Sequence, residues 1–188
     1  MTGTLAKADE MIGYAAFLRG INLAGHKAVN MGELKKAFES MGFQNVRTLL
    51  NSGNVLFEAR KTARGPLVKT IEVELKTAFG HEIAVILRTI AEIHGLVESA
   101  PFKKVKVTPQ TRLYVTLLSE KTNSSLKIPY ESPEKDFKIV TIQPAEVFSV
   151  VTITPGRGTT EAMSFLEKHF GKRVTTRNWN TITKVLKK

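Results

Sequence analysis

The chain has 188 residues, 42% of them hydrophobic and 24% charged, and no cysteine. That balance belongs to a globular protein of one large domain or two small ones, and the missing thiols exclude disulfide staples, thiol nucleophiles and thiolate zinc sites. A formal charge of +11, from 28 basic and 17 acidic residues, invites an anionic partner such as nucleic acid or a phosphorylated small molecule, although a solvated basic face that only aids solubility reads as well.

Residues 1–12 read as a loose N-terminal extension. They contain no apolar stretch of the kind a secretory signal needs, and Met11 offers an alternative start. Without cysteine or signal, the expected compartment is the cytoplasm. The longest uncharged apolar runs, Tyr14–Leu18 and Val147–Thr154, fall far short of the ~20 residues that cross a bilayer, so no membrane partner is expected.

Residues 13–90 carry the clearest pattern. Tyr14–Leu18 is a buried strand by composition. Asn30, with Glu33 three residues on, opens a helix whose apolar positions are Met31, Leu34, Phe38 and Met41, and Gly42 ends it. Val46–Leu50 and Val55–Glu58 flank Asn51-Ser-Gly-Asn54, a hairpin signal. Pro66 suits the first turn of a second helix lined by Leu67, Ile71, Leu75, Ala78 and Phe79 and stopped by Gly80, after which Ile83–Leu87 is the fourth strand. The order β-α-β-β-α-β is that of a ferredoxin-like α/β plait with strand order 4-1-3-2.

Residues 91–110 read as a helix, Ala91–Ser99, and a basic linker, Pro101–Pro109. Residues 111–188 repeat the theme less regularly. Strands are expected at Leu113–Leu118, Phe137–Ile142, Val147–Ile153 and near Arg173–Thr175, with a helix from Thr159 to Phe170. The slot for the unit's first helix, Glu120 to Lys135, is polar and holds two prolines, so it reads as a loop or one short turn. Asn178–Leu186 forms a terminal amphipathic helix with Trp179, Ile182, Val185 and Leu186 inward. That spacing assigns Trp179 to the core in preference to base stacking. The fold class is therefore α+β, with two tandem ferredoxin-like units, the second less regular.

In a 4-1-3-2 sheet the end of the first strand and the central hairpin share an edge. Arg19, Asn22, Asn51, Ser52 and Asn54 then converge beside the N-terminus of the first helix, where a small anion or polar amide can bind. The competing reading is that these side chains only close turns. In the second unit, Arg157 between Gly156 and Gly158 is expected to meet Arg177, Asn178 and Asn180 where the chain leaves the last strand, a weak form of phosphate cradle. From Gly171 onward six basic residues (Lys172, Arg173, Arg177, Lys184, Lys187 and Lys188) meet no acidic one. His81-Glu82 fails as a zincin motif because position 85 is Val85, His94 and His169 sit on expected helices, and only His26 lies in a polar loop suited to acid–base work. No serine-hydrolase elbow, paired carboxylates or metal-ligand spacing occurs, and no cofactor is expected.

Together, Tyr14-Ala-Ala-Phe-Leu-Arg-Gly-Ile-Asn22, Asn51-Ser-Gly-Asn-Val-Leu-Phe57 and Thr175-Thr-Arg-Asn-Trp-Asn-Thr181 resemble the signatures of the bacterial family called domain of unknown function 1697. The resemblance runs from about Met11 to the C-terminus. It implies two α/β-plait subdomains and supplies no activity, cofactor or catalytic residue. Ala24-Gly25 stands where the family usually has a glycine pair, and Asn51 where a glutamine is expected, which shortens the reach toward any ligand.

The reading placed first is a non-enzymatic binder of nucleic acid or of a phosphate-bearing ligand, acting through the basic, asparagine-rich loop edges. A small enzyme acting on a polar or phosphorylated metabolite is the second, and it lacks a nucleophile and a base. A protein-interaction module whose basic terminal helix docks on an acidic protein partner is the third.

Overall fold

A computed structural model describes residues 10–22, 28–155 and 159–187. The chain divides into two units, Met1–Ile93 and His94–Lys188, each built around one antiparallel sheet. Five helices are found among the described residues.

The first unit runs β1 (Met11–Leu18), α1 (Met31–Ser40), β2 (Gln44–Leu49), β3 (Asn54–Arg60), α2 (Arg64–Phe79), β4 (Val85–Thr89) and α3 (Ile90–Glu98), the last straddling the division. Its sheet order is β2-β3-β1-β4. β1 starts two residues before position 13, pairing Met11 with Arg60. Every residue from Tyr14 to Leu18 is buried, as an interior strand without polar alternation must be. One face of the sheet packs Tyr14, Ala16, Phe57 and Leu87 against Leu34 and Phe38 of α1 and Ile71 and Leu75 of α2. Phe57 centres this core, stacked with Phe43 at 4.5 Å and Tyr14 at 5.5 Å and edge-on to Phe38 at 5.3 Å.

Local signals explain the helix ends. The Asn30 side chain accepts from the Gly32 and Glu33 amides and so caps α1. Gly80, with φ of 75°, closes α2. α3 opens on a reciprocal cap, in which Thr89 Oγ1 accepts from the Glu92 amide at 3.1 Å and the Glu92 carboxylate accepts from the Thr89 amide at 2.8 Å. Arg64 also donates to Glu92. Burial alone would raise this carboxyl, but the Thr89 amide and the Arg64 guanidinium outweigh it and hold Glu92 below its ordinary value. The stability Glu92 contributes is thus complete above the ordinary carboxylate range and drains away as pH falls through its lowered value. Glu92→Gln should lower the melting temperature modestly at neutral pH and leave a flatter acid limb below about pH 4.5, so that variant and parent converge at low pH.

The second unit runs β5 (Thr111–Leu118), β6 (Tyr130–Glu131), β7 (Phe137–Gln143), β8 (Glu146–Thr152), α4 (Thr160–Phe170), β9 (Val174–Asn178) and α5 (Trp179–Val185), with sheet order β6-β7-β8-β5-β9. Among the described residues no helix lies between β5 and β7. Leu126, Ile128 and Tyr130 instead lean on the core at every second residue, so the segment crosses it extended and ends as β6. Tyr130 stacks on Phe165 of α4 at 4.4 Å. α4 packs with Ile139, Val147, Val151 and Val174 on one sheet face. On the other, Phe102 meets Phe148 at 5.8 Å and Trp179 at 5.3 Å. The last strand is longer than Arg173–Thr175 suggests, because Thr176, Arg177 and Asn178 continue the ladder against Thr116, Val115 and Tyr114.

Ser149, in mid-β8, is fully buried, and its Oγ has no hydrogen-bond partner among the described residues. An unsatisfied buried hydroxyl costs about 1–3 kcal/mol. Ser149→Ala should therefore raise the stability of this unit by about 1 kcal/mol in urea titrations followed by Trp179 fluorescence.

Candidate functional site

The hairpin edge of the first unit gathers four of the expected residues, Asn22, Asn51, Ser52 and Asn54, and the side chains of Asn22, Ser52 and Asn54 serve the fold. Asn22, at φ of 54°, accepts from the Val29 amide at 2.8 Å and donates to the Val29 carbonyl at 3.1 Å and the Asn51 carbonyl at 2.9 Å. It clamps the loop after β1 onto the β2–β3 turn. Asn54 is wholly buried and donates to the Leu49 carbonyl at 2.8 Å and to Ser52 Oγ at 3.0 Å. Asn51 and Ser52 are exposed at the tip, and Arg19 follows β1 with its amide bonded to the Ala84 carbonyl at 2.9 Å. Near the α1 N-terminus, the Asn30 and Asn22 side chains already take the amides of Gly32, Glu33 and Val29. Those are the donors an anion would need there. His26 lies outside the described residues.

In the second unit, Arg157 lies outside the described residues, so its expected meeting with Arg177 does too. Arg177 sits on β9 and donates to Thr175 Oγ1 at 2.7 Å and to the Thr176 carbonyl at 3.0 Å. Burial pushes its pKa down to about 10. Asn178 caps α5 by accepting from the Asn180 amide at 2.9 Å, and Asn180 itself is exposed. Trp179 belongs to the Phe102–Phe148 cluster. His94 approaches Glu98 at 3.3 Å, and His169 stacks on Phe165 at 3.9 Å. Among the described residues there is no group of three or more histidines and carboxylates fit to hold a metal ion, and no helix long and apolar enough to cross a membrane.

A different site emerges from the segment read as a basic linker. After α3 the chain turns tightly, with the Lys103 amide on the Ala100 carbonyl and the Val105 amide on the Phe102 carbonyl, and Phe102 is sunk into the aromatic cluster. Pinning Phe102 leaves Lys103, Lys104 and Lys106 exposed around it. These lysines and Lys138 of β7 rim a groove of about 700 Å³ with Val105, Val140 and Val150 in its walls. None of its lining residues is acidic, and none of the four ammonium groups has a hydrogen-bond or ion-pair partner among the described residues.

A β-bulge shapes the groove. The β7–β8 register runs Ile139 to Ser149 and then Thr141 to Phe148, so Val140 is an extra residue in β7. Phe137 and Ile139 face the α4 core before the bulge and Ile142 after it, whereas Lys138, Val140, Thr141 and Gln143 all line the groove. Strict alternation would turn Thr141 and Gln143 away from it. Sequence reasoning missed this site because Lys103, Lys104 and Lys106 are contiguous with polar, proline-bounded chain. The available signal was Phe102, a large apolar residue inside a supposed linker.

The structure of the conserved bacterial protein SP0830 from Streptococcus pneumoniae superposes with a TM-score of 0.69 at 20% sequence identity, over 94% of this chain and 97% of that one, a likeness of fold. No curated protein matches the sequence significantly. Residues 11–148 match the family described as "Protein of unknown function (DUF1697)", a span that includes the first two signature segments and stops before Thr175–Thr181. On that match over most of its length, the chain belongs to this family.

Proposed function

We propose that this chain is a non-enzymatic binder of a phosphate-bearing ligand and that the lysine-rimmed groove of its second unit holds that ligand. The observation that carries the reading is four lysines without ion-pair partners among the described residues, around a cavity with no acidic lining. Ammonium groups left without carboxylates favour a phosphate oxygen over water because each contact is charge-assisted. The loop edges with Arg19, Asn22, Asn51, Ser52 and Asn54, and with Arg157, Arg177, Asn178 and Asn180, support the reading less, since Asn22, Asn54 and Asn178 hold their own turns. The groove's lining has no aromatic side chain on which a nucleic-acid base could stack. A small ligand is therefore favoured over a polymer. We take both units as ferredoxin-like plaits, the second with β6 and an extended segment where the first helix would stand; the order β2-β3-β1-β4 supports this for the first.

Titration calorimetry with tripolyphosphate tests the binding. Changing Lys103, Lys104, Lys106 and Lys138 together to glutamine should weaken it by about tenfold or more at low salt and flatten its salt dependence. Glutamine at the exposed Lys172, Lys184 and Lys187 should leave it within about twofold. Equal losses in the two variants would reduce binding to net charge and remove the groove. A mixed-sequence oligonucleotide that binds tightly where tripolyphosphate does not would make the ligand a polymer.

A further inference from the structure

The composition of the groove goes beyond its charge. Pro101, Val105, Pro129, Val140 and Val150 make its lining largely apolar beneath the lysine rim. A ligand of phosphates alone would leave that surface wet. A volume of about 700 Å³ is of the size that encloses a whole small molecule. The bulge at Val140 matters here, because it turns Thr141 and Gln143 onto the groove face that Lys138 and Val140 share by alternation. The lining also lacks arginine, so nothing in it offers a planar fork to a phosphate or stacks on a ring; lysine is a point charge suited to a compact head group.

We infer that the groove takes an amphipathic phosphomonoester, its head among Lys103, Lys104, Lys106 and Lys138 and its aliphatic body against Val105, Val140 and Val150. This rests on the phosphate-binding reading above and names the chemical class of its ligand. Burial of a methylene favours binding by a factor of about four, so affinity should climb with alkyl length until the floor is covered.

The experiment is calorimetry of the full chain with ethyl, hexyl and decyl phosphate, each kept monomeric, beside tripolyphosphate. Decyl phosphate is expected to bind at least about thirtyfold more tightly than ethyl phosphate, with a negative heat-capacity change. In Val140→Asn, whose fold is checked by circular dichroism, that length dependence should shrink by about threefold or more while tripolyphosphate binding stays unchanged. Alkyl phosphates that bind no better than ethyl phosphate, with tripolyphosphate still bound at the lysines, would overturn the amphipathic ligand and leave the phosphate site standing. Failure of every phosphate would overturn both. Vesicles containing phosphatidic acid separate the two sources of such a head group: sedimentation of the protein with vesicles, without binding of monomeric decyl phosphate, would overturn an enclosed single ligand.

Discussion

Gly53→Ala is expected to destabilise the first unit by about 3 kcal/mol, moving its urea midpoint down by a molar or more. Two costs combine at this position. Gly53 has a φ of 69°, where an L side chain costs about 1–2 kcal/mol. A Cβ there would lie 2.6 Å from Ile21 Cδ1 and 2.9 Å from Leu18 Cβ, both buried, and overpacking of that kind costs about 1–3 kcal/mol. Gly80 is the matched control, because its φ is 75° and no atom lies within 4 Å of its added Cβ. Gly80→Ala should lose only the backbone cost of about 1 kcal/mol. Circular dichroism melts of the two variants then separate strain from crowding. If Gly53→Ala loses no more than Gly80→Ala, the close approach of the β2–β3 turn to Ile21 is not a constraint on the fold.

That close approach shows how far local sequence carries the first unit. Asn51-Ser-Gly-Asn54 announces a turn, and the uncharged run Tyr14–Leu18 announces an interior strand, because each signal is read within a few residues. Asn30, Gly42 and Gly80 mark helix ends for the same reason, and the Thr89–Glu92 reciprocal cap was open to the same reading. The roles of the asparagines are long-range. The bond from Asn22 to the Asn51 carbonyl spans 29 positions, and no spacing rule distinguishes a residue that clamps two loops from one that greets a ligand.

The second unit hides its site for a related reason. Alternation along Phe137–Gln143 assumes an unbroken ladder, and the extra residue at Val140 reverses the faces of everything after it. Thr141 and Gln143 thus join Lys138 in the groove only once the pairing with β8 is known. The charge count pointed instead to the C-terminus, where Arg177 turned out to lie within β9, its guanidinium held by Thr175 and Thr176. Net charge says that cations exist somewhere on the surface; a site needs cations that the fold leaves unpaired and brings together.

Phe102→Ala is expected to have the largest effect in the second unit. Phe102 is 8% exposed and packs edge-on against Phe148 and Trp179. Truncating a buried phenylalanine costs about 3–5 kcal/mol, the higher end where the cavity cannot collapse. Trp179 is the only tryptophan, so its fluorescence reports the loss directly in a urea titration. Phe102→Leu, which keeps most of the volume, should lose less than half as much. The consequence for binding is separate from the loss of stability. Three of the four rim lysines lie within four residues of Phe102, in a segment whose tight turns hold them over the sheet only while the ring is anchored. Under conditions where both variants remain folded, Phe102→Ala should therefore weaken tripolyphosphate binding with every lysine still present, while Phe102→Leu keeps most of it. Unchanged affinity in a folded Phe102→Ala protein would mean that the lysines act as independent surface charges, since only a built groove depends on what lies beneath its rim.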